Sequence, residues 1–400
     1  MIRLVLSATT YHSDIAPFDF AGKVIAQGNI TNFYDYLWSL PLGNPYLKIY
    51  PRDLFNYPPL VYFFLGGVSR LTTWMVNPTV HTNFILNFPS TLGNSQLNLL
   101  LLLLKLPYVA FDIATAYLLM GFFTDRKKKL WAFGLWIFNP VNLYATYMIG
   151  QFDIIPTFLV VAALYLAIKN KVMPGAILLG IGAAFKIFPL LFIVPLALTK
   201  DTWWGKIKIV FTALVTYAVT AFPFIFSRGF RATALLAGQT TKSFYAQIPI
   251  SGGESIILFL AVIIFFYLLF YYQKVSVENL WTRFFLMLLL FFIFTHYHPQ
   301  WFLWLTPFLI IDLLISNFKN WLPLAISLVS YFALITFFDP GLSVWLFAPI
   351  FPHLYGLPGI WQLVGINPDI NSLRSIFQTL FVGAALFYIY IYFPKREKMI

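Results

Sequence analysis

Long apolar runs separated by short polar breaks dominate the chain from residue 97 onward. They cover roughly 97–123, 130–148, 150–168, 174–198, 209–226, 255–273, 284–296, 300–316, 320–338 and 375–393. A helix needs about 20 apolar residues to cross a bilayer, so these runs predict membrane helices. Several are shorter than that or carry a polar interruption. This predicts tilted or broken helices around an internal cavity. The 174–198 run is expected to break near Lys186 and return as a hairpin. The 58–76 segment is expected to be re-entrant or to lie on the membrane surface. Met1–Thr10 (MIRLVLSATT) is too short to span, and reads as the last turns of a first helix that begins upstream. The expected fold is all-α: one polytopic transmembrane bundle over 1–400, with about 10–11 membrane helices. Within it, 11–96 is expected to form a first extracytoplasmic loop with juxtamembrane helices, and 97–393 the bundle.

Composition agrees with that pattern. Hydrophobic residues make up 60% of the 400 positions and charged residues 10%, against about 25% charged in ordinary globular proteins. A soluble core cannot hide so much apolar surface. Rings are abundant, with 45 Phe, 23 Tyr and 12 Trp, as suits membrane cores and interfaces. The absence of cysteine excludes disulfides, thiolate nucleophiles and Cys-based metal sites. The formal net charge of +12 does not call for nucleic acid. Its basic residues cluster in short breaks, as positive-inside loops do. The clusters are Arg126–Lys129, Lys169/Lys171, Lys200/Lys206/Lys208, Lys274/Arg283, Lys319 and Lys395/Arg396/Lys398.

Placing those clusters in the cytoplasm puts all five histidines and most of the acids on the outer side. The candidate chemistry therefore faces one compartment. In YHSDIAPFDF (11–20), Asp14 sits where a first helix leaves the membrane, and Asp19 follows five residues later. A carboxylate there is a candidate general base toward a hydroxyl; otherwise it is a solvated loop acid. In NYPPLVYFF (56–64), the paired prolines start a short apolar helix. In GQFD (150–153), Asp153 lies close to hydrocarbon, which is costly enough to suggest a functional role. Gln151 has donors and acceptors suited to sugar hydroxyls.

Lys186 stands in the middle of an apolar run, and Pro189 breaks the helix after it. A cation there needs an anion, for which a lipid phosphate is natural; snorkelling is the plainer alternative. FTHYHPQW (294–301) holds His296, His298, Gln300 and Trp301. Its His-x-His spacing has no third ligand nearby, so hydrogen bonding to a phosphate or sugar is preferred to a metal site. Trp301 and Trp304 offer a stacking platform or an interfacial belt. Lys105 and Asp112, seven apart on one helix face, are expected to form an internal ion pair. Arg228, Arg231 and Lys242 in loop 227–253 are available to grip a phosphate or anionic headgroups.

The order of these motifs resembles the GT-C glycosyltransferases that use polyprenyl-phosphate-linked sugars. It is most similar to the polyprenol-phosphate-mannose-dependent mannosyltransferases, over most of residues 11–310. The resemblance implies a GT-C bundle moving a hexose, mannose first, from a polyprenyl-phosphate donor to a glycan or lipid-linked acceptor. It implies Asp14 as general base, with Asp19 next in line. Lys186, with Lys105 or Arg228 and Arg231, would neutralise the leaving phosphate. Gln151, Asp153 and His298 would position donor or acceptor. A divalent cation stays open, and no other cofactor is implied. Membrane lipids are expected partners and nucleic acid is not. The expected location is the plasma membrane of a prokaryote, with the site on its extracytoplasmic face. Two rival readings are a flippase or transporter of lipid-linked saccharides and an O-antigen-type polymerase or ligase. The first predicts mid-membrane polar sites and repeats; the second predicts a larger outer loop.

Overall fold

The computed structural model describes residues 1–235, 241–273, 275–296, 298–367 and 369–394. Lys274, Tyr297, Lys395, Arg396 and Lys398 lie outside the described residues. The protein is an all-α membrane bundle. Among the described residues its strands are one short antiparallel hairpin, Gln247–Pro249 against Ser255–Ile257, inside the 227–257 connection.

Every apolar run maps onto helix. Among the described residues two helices are individually long and apolar enough to cross a membrane, Trp203–Phe224 and Ile370–Tyr392. A third candidate is the bent pair Ser95–Lys105 and Tyr108–Gly121, which turns by 42° at its break. The remaining apolar helices, such as Ile154–Ile168, Leu280–Phe294 and Trp321–Ile335, are shorter. The 174–198 run does break at Lys186: Val172–Ala183 ends there, and a 3₁₀ turn Phe188–Phe192 carries Pro189. Pro lacks the N–H that would continue the helix. The Trp203–Ala221 helix leaves Trp204, Phe211, Leu214 and Val219 exposed. That apolar face is what lipid covers.

The polar segment before residue 95 is folded as well. Ile15–Ala26 packs against Pro59–Met75. Small residues let the two backbones approach closely: a Cβ at Gly22 would stand 2.5 Å from the Leu65 carbonyl oxygen. Gly22→Ala is expected to lower stability by about 1–3 kcal/mol, measured as thermal unfolding of the solubilised protein. Gly67→Ala, where a Cβ meets nothing within 4 Å, is the control that should not lower it and should raise it slightly, as loss of a helix-interior glycine does.

The expected Lys105–Asp112 ion pair does not form. Asp112 is fully buried and pairs instead with Arg3 from the Ile2–Thr9 helix. It also accepts hydrogen bonds from Trp136 Nε1 (2.7 Å), Asn142 Nδ2 (2.7 Å) and Tyr147 OH (2.6 Å). Lys105, 1% exposed, donates instead to the carbonyls of Thr10 (2.7 Å), Tyr147 (2.9 Å) and Ser7 (3.2 Å). The cause is the π-helical turn Leu143–Met148, which ends beside it. The last carbonyls of a helix have no partner within it, so a cation can gather them. Lys105 thereby ties Thr10, just before the Asp14 segment, to Met148, just before GQFD.

Candidate active site

The Asp14 segment and GQFD meet directly. Asp14 occupies the position just before the Ile15–Ala26 helix without a side-chain capping bond, and Gln151 Nε2 donates to Asp14 Oδ2 at 2.8 Å. The approach requires Gly150, which adopts φ 69° and whose Cβ would stand 2.8 Å from Ile15 Cδ1. Only glycine accepts both conditions easily. Gln151 is buried, so its amide holds Asp14 and is not spread toward solvent.

Asp14 differs from the other acids nearby. Its side chain is 43% exposed, whereas those of Asp153 and Asp19 are fully buried. It opens into a cleft of about 210 Å³ lined also by Phe18, Asn56, Tyr57, His298, Gln300 and Trp301. Three distant segments, 14–21, 54–62 and 298–301, therefore share one cavity. Asp19 instead packs against His81 from the Pro78–Leu86 helix. It borders a void of about 10 Å³ together with Lys105, too small for a sugar.

Behind Trp301 lies a buried ion pair. Lys186 Nζ binds Asp153 Oδ1 at 2.7 Å and Oδ2 at 3.0 Å. Trp304 Nε1 donates to Asp153 Oδ1 at 2.7 Å. The ammonium sits 5.3–5.7 Å from the ring centroids of Tyr57, Phe152, Trp301 and Trp304, within cation–π range. The anion expected from a lipid phosphate is thus already supplied by Asp153. This corrects the reading of Lys186 as a cation waiting for its ligand. Asp153 is committed to Lys186 and Trp304 and does not reach the cleft.

Loop 227–253 brings one cation, Lys242, against two residues of the cleft wall, His298 and Trp301, without itself lining the cleft. Its Nζ donates to His298 Nε2 at 2.6 Å and lies 5.8 Å from the Trp301 centroid. Burial and the Lys242 charge push His298 down to about 4, so its ring is neutral and can accept that bond. Burial and the Lys186 charge in turn lower the Lys242 ammonium. An anion entering here relieves both costs. Among the described residues Lys242 has no ion-pair partner.

Arg228 and Arg231 do not line the cleft. Arg228 stacks over Trp38 at 4.9 Å, with Arg52 also close to that ring, and Arg231 is exposed. His296 faces a different cavity from His298. Among the described residues no three His, Asp or Glu side chains converge as a metal site. Asn56 and Tyr57 were missed as site residues by the sequence pattern. The NYPP signal reads as a helix start, although its polar and aromatic residues precede the prolines and face the cleft.

The profile of glycosyltransferase family 87 matches residues 89–295, just over half of the chain. The protein belongs to this family. Membership in a glycosyltransferase family favours the enzyme reading over the transporter one. The chain is also similar to two curated proteins, each named GPI mannosyltransferase 1. The Trypanosoma brucei brucei protein is 26% identical over 52% of this chain and 43% of its own length. The Dictyostelium discoideum protein is 28% identical over 24% of this chain and 23% of its own. The matches thus span less than half of either relative.

Proposed function

We propose that this family 87 protein transfers a hexose, mannose first, from a polyprenyl-phosphate-linked donor to a hydroxyl of a glycan or lipid-linked acceptor. Asp14 is the general base. The acceptor oxygen attacks the anomeric carbon as its proton passes to the Asp14 carboxylate. The bond from that carbon to the phosphate oxygen breaks, and its electron pair leaves with the polyprenyl phosphate. Gln151 holds the carboxylate toward the cleft. Lys242 stabilises the charge developing on the phosphate, through a site that water only partly reaches. Trp301 gives the pyranose an aromatic face, and Gln300 and Asn56 offer hydrogen bonds to its hydroxyls.

The observation that carries this reading is a cleft that holds a solvent-reachable carboxylate and whose His298 wall carries an ammonium with no ion-pair partner among the described residues. Such a site suits a reaction that takes a proton at one end and releases a phosphate at the other. The mannosyl choice follows the names of the two relatives. The site is assigned to the extracytoplasmic face, because the basic clusters mark the cytoplasmic one. Both relatives come from eukaryotes, so they lend no support to the prokaryotic plasma membrane expected from the sequence.

The test is radiolabelled transfer in membranes containing the protein, with polyprenyl-phosphate-mannose and polyprenyl-phosphate-glucose as alternative donors. Mannose is expected to be consumed and glucose not. Consumption of neither removes the assigned donor class.

A further inference from the structure

An apolar groove of about 600 Å³ shares no residue with the Asp14 cleft. Its walls come from three helices. Arg126–Ile137 supplies Lys127, Leu130, Trp131 and Gly134, Thr306–Ile315 supplies Leu313, and Trp321–Ile335 supplies Leu324. From Lys127 to Phe138 the groove follows its first helix for about 16 Å, at 1.5 Å per residue. That is about half of a hydrocarbon core roughly 30 Å thick, the depth of a single leaflet.

Gly134 keeps the groove open. A glycine inside a helix costs stability relative to alanine, and close packing does not explain this one. A Cβ there would meet nothing within 4 Å. The missing side chain leaves a slot between the exposed Leu130, Trp131 and Phe138. The slot falls within the size range of ligand pockets, about 300–1,000 Å³, and hydrocarbon lines nearly all of it.

One end of the groove is strongly basic. Arg126, Lys127, Lys128 and Lys129 open the first helix, and Lys127 lines the groove. Lys319 joins them through the turn after Ile315. In that turn Asn317 and Phe318 have φ 52° and 64°, the second a conformation that bulky residues rarely adopt. It sets the Phe318 ring edge-on to Trp131, with centroids 5.4 Å apart, and so brings Lys319 to the same end. Among the described residues none of these cations makes an ion pair. Asp125, the acid beside them, accepts from the Lys128 N–H at 2.8 Å as the helix cap. Cations at a helix N-terminus also oppose the helix dipole. An anion at this end relieves both the mutual repulsion and the dipole.

We propose that this groove binds one anionic glycerophospholipid, with an acyl chain lying along Gly134 and the phosphate among Lys127, its basic neighbours and Lys319. Charge complementarity sets the occupant. Apolar walls one leaflet deep end in uncompensated cations, and an anionic lipid has those two parts in that order. Basic pockets between membrane helices bind such headgroups. The positive-inside rule assigns the basic end to the cytoplasm, away from the face assigned to the Asp14 cleft. The lipid is therefore neither donor nor acceptor, and the inference does not depend on the transfer chemistry.

The test places the full chain in nanodiscs of phosphatidylcholine, alone or mixed with phosphatidylglycerol of the same acyl chains. The unfolding temperature of wild type is expected to rise with the phosphatidylglycerol fraction, and native mass spectrometry should find that lipid retained. Gly134→Leu keeps every charge and fills the groove. In phosphatidylcholine it should be at least as stable as wild type, because leucine favours a helix, yet it should lose the response to phosphatidylglycerol. Leu324→Trp, which fills the groove from the facing helix, should lose the response as well. Lys127→Gln and Lys319→Gln should each raise the fraction needed for half the response about fivefold, since one cation near a membrane surface is worth about 1 kcal/mol. A wild type that phosphatidylglycerol stabilises no more than phosphatidylcholine does overturns the proposal. Filled variants that respond like wild type also overturn it, and leave the attraction to the surface charges alone. A wild-type dimer that Gly134→Leu dissolves overturns it too, because the occupant is then a second copy of the chain.

Discussion

Asp14→Asn is expected to abolish transfer while the protein stays folded and still binds its donor. The carboxylate is 43% exposed, and its ion-pair contact is a long one, 3.7 Å to His12 Nδ1. Asparagine keeps its size, and its amide oxygen can still accept the Gln151 hydrogen bond seen at 2.8 Å. It cannot accept the acceptor's proton at neutral pH. General-base catalysis contributes about 10²–10⁴-fold, so kcat should fall by that range with donor KM nearly constant. Steady-state transfer and the unfolding temperature, measured on one preparation, read both quantities. An Asp14→Asn protein turning over near the wild-type rate removes Asp14 as the base. Asp19 would then need a way out of its buried contact with His81.

Lys186→Met is expected to act through stability first. Removing the ammonium leaves Asp153 buried with one Trp304 hydrogen bond for its charge. Breaking a buried pair on one side costs about 3–5 kcal/mol, enough to unfold many proteins. Phe152, Trp301 and Trp304 also lose the cation packed against their rings. The diagnostic experiment adds Asp153→Asn. The double variant carries no buried charge and should recover much of the unfolding temperature lost in the single one. Should Lys186→Met keep its unfolding temperature and lose only donor affinity, Lys186 would be a phosphate ligand after all. The Asp153 pairing would then be a resting arrangement broken by the donor.

Those two residues show how far the linear pattern reaches. Asp14 stands out along the chain by its place at the end of a helix, beside a second acid and ahead of YPP, and folding sets it in the cleft. Lys186 was identifiable as a charge that an apolar run would not hold without reason. The assignment of its anion failed, because Asp153 lies 33 residues away and only folding sets the two 2.7 Å apart. Lys105 was misread for a related cause. Seven residues on a straight helix do share a face, but the helix bends by 42° just after Lys105. The bend sends Lys105 to the Thr10 and Tyr147 carbonyls and leaves Asp112 to Arg3. Three loop cations looked alike in sequence, and only the hydrogen bond from Lys242 to His298 separates it from Arg228 and Arg231.

What the sequence by itself determined is the solvent, the helices and the breaks between them. Those depend on local hydrophobic free energy and on proline, both readable along the chain. The tertiary structure alone decided which charges are consumed internally and which face a cavity. A buried charge takes the nearest partner in space, because leaving it unpaired in low dielectric costs several kcal/mol. That partner's distance along the chain carries no such constraint.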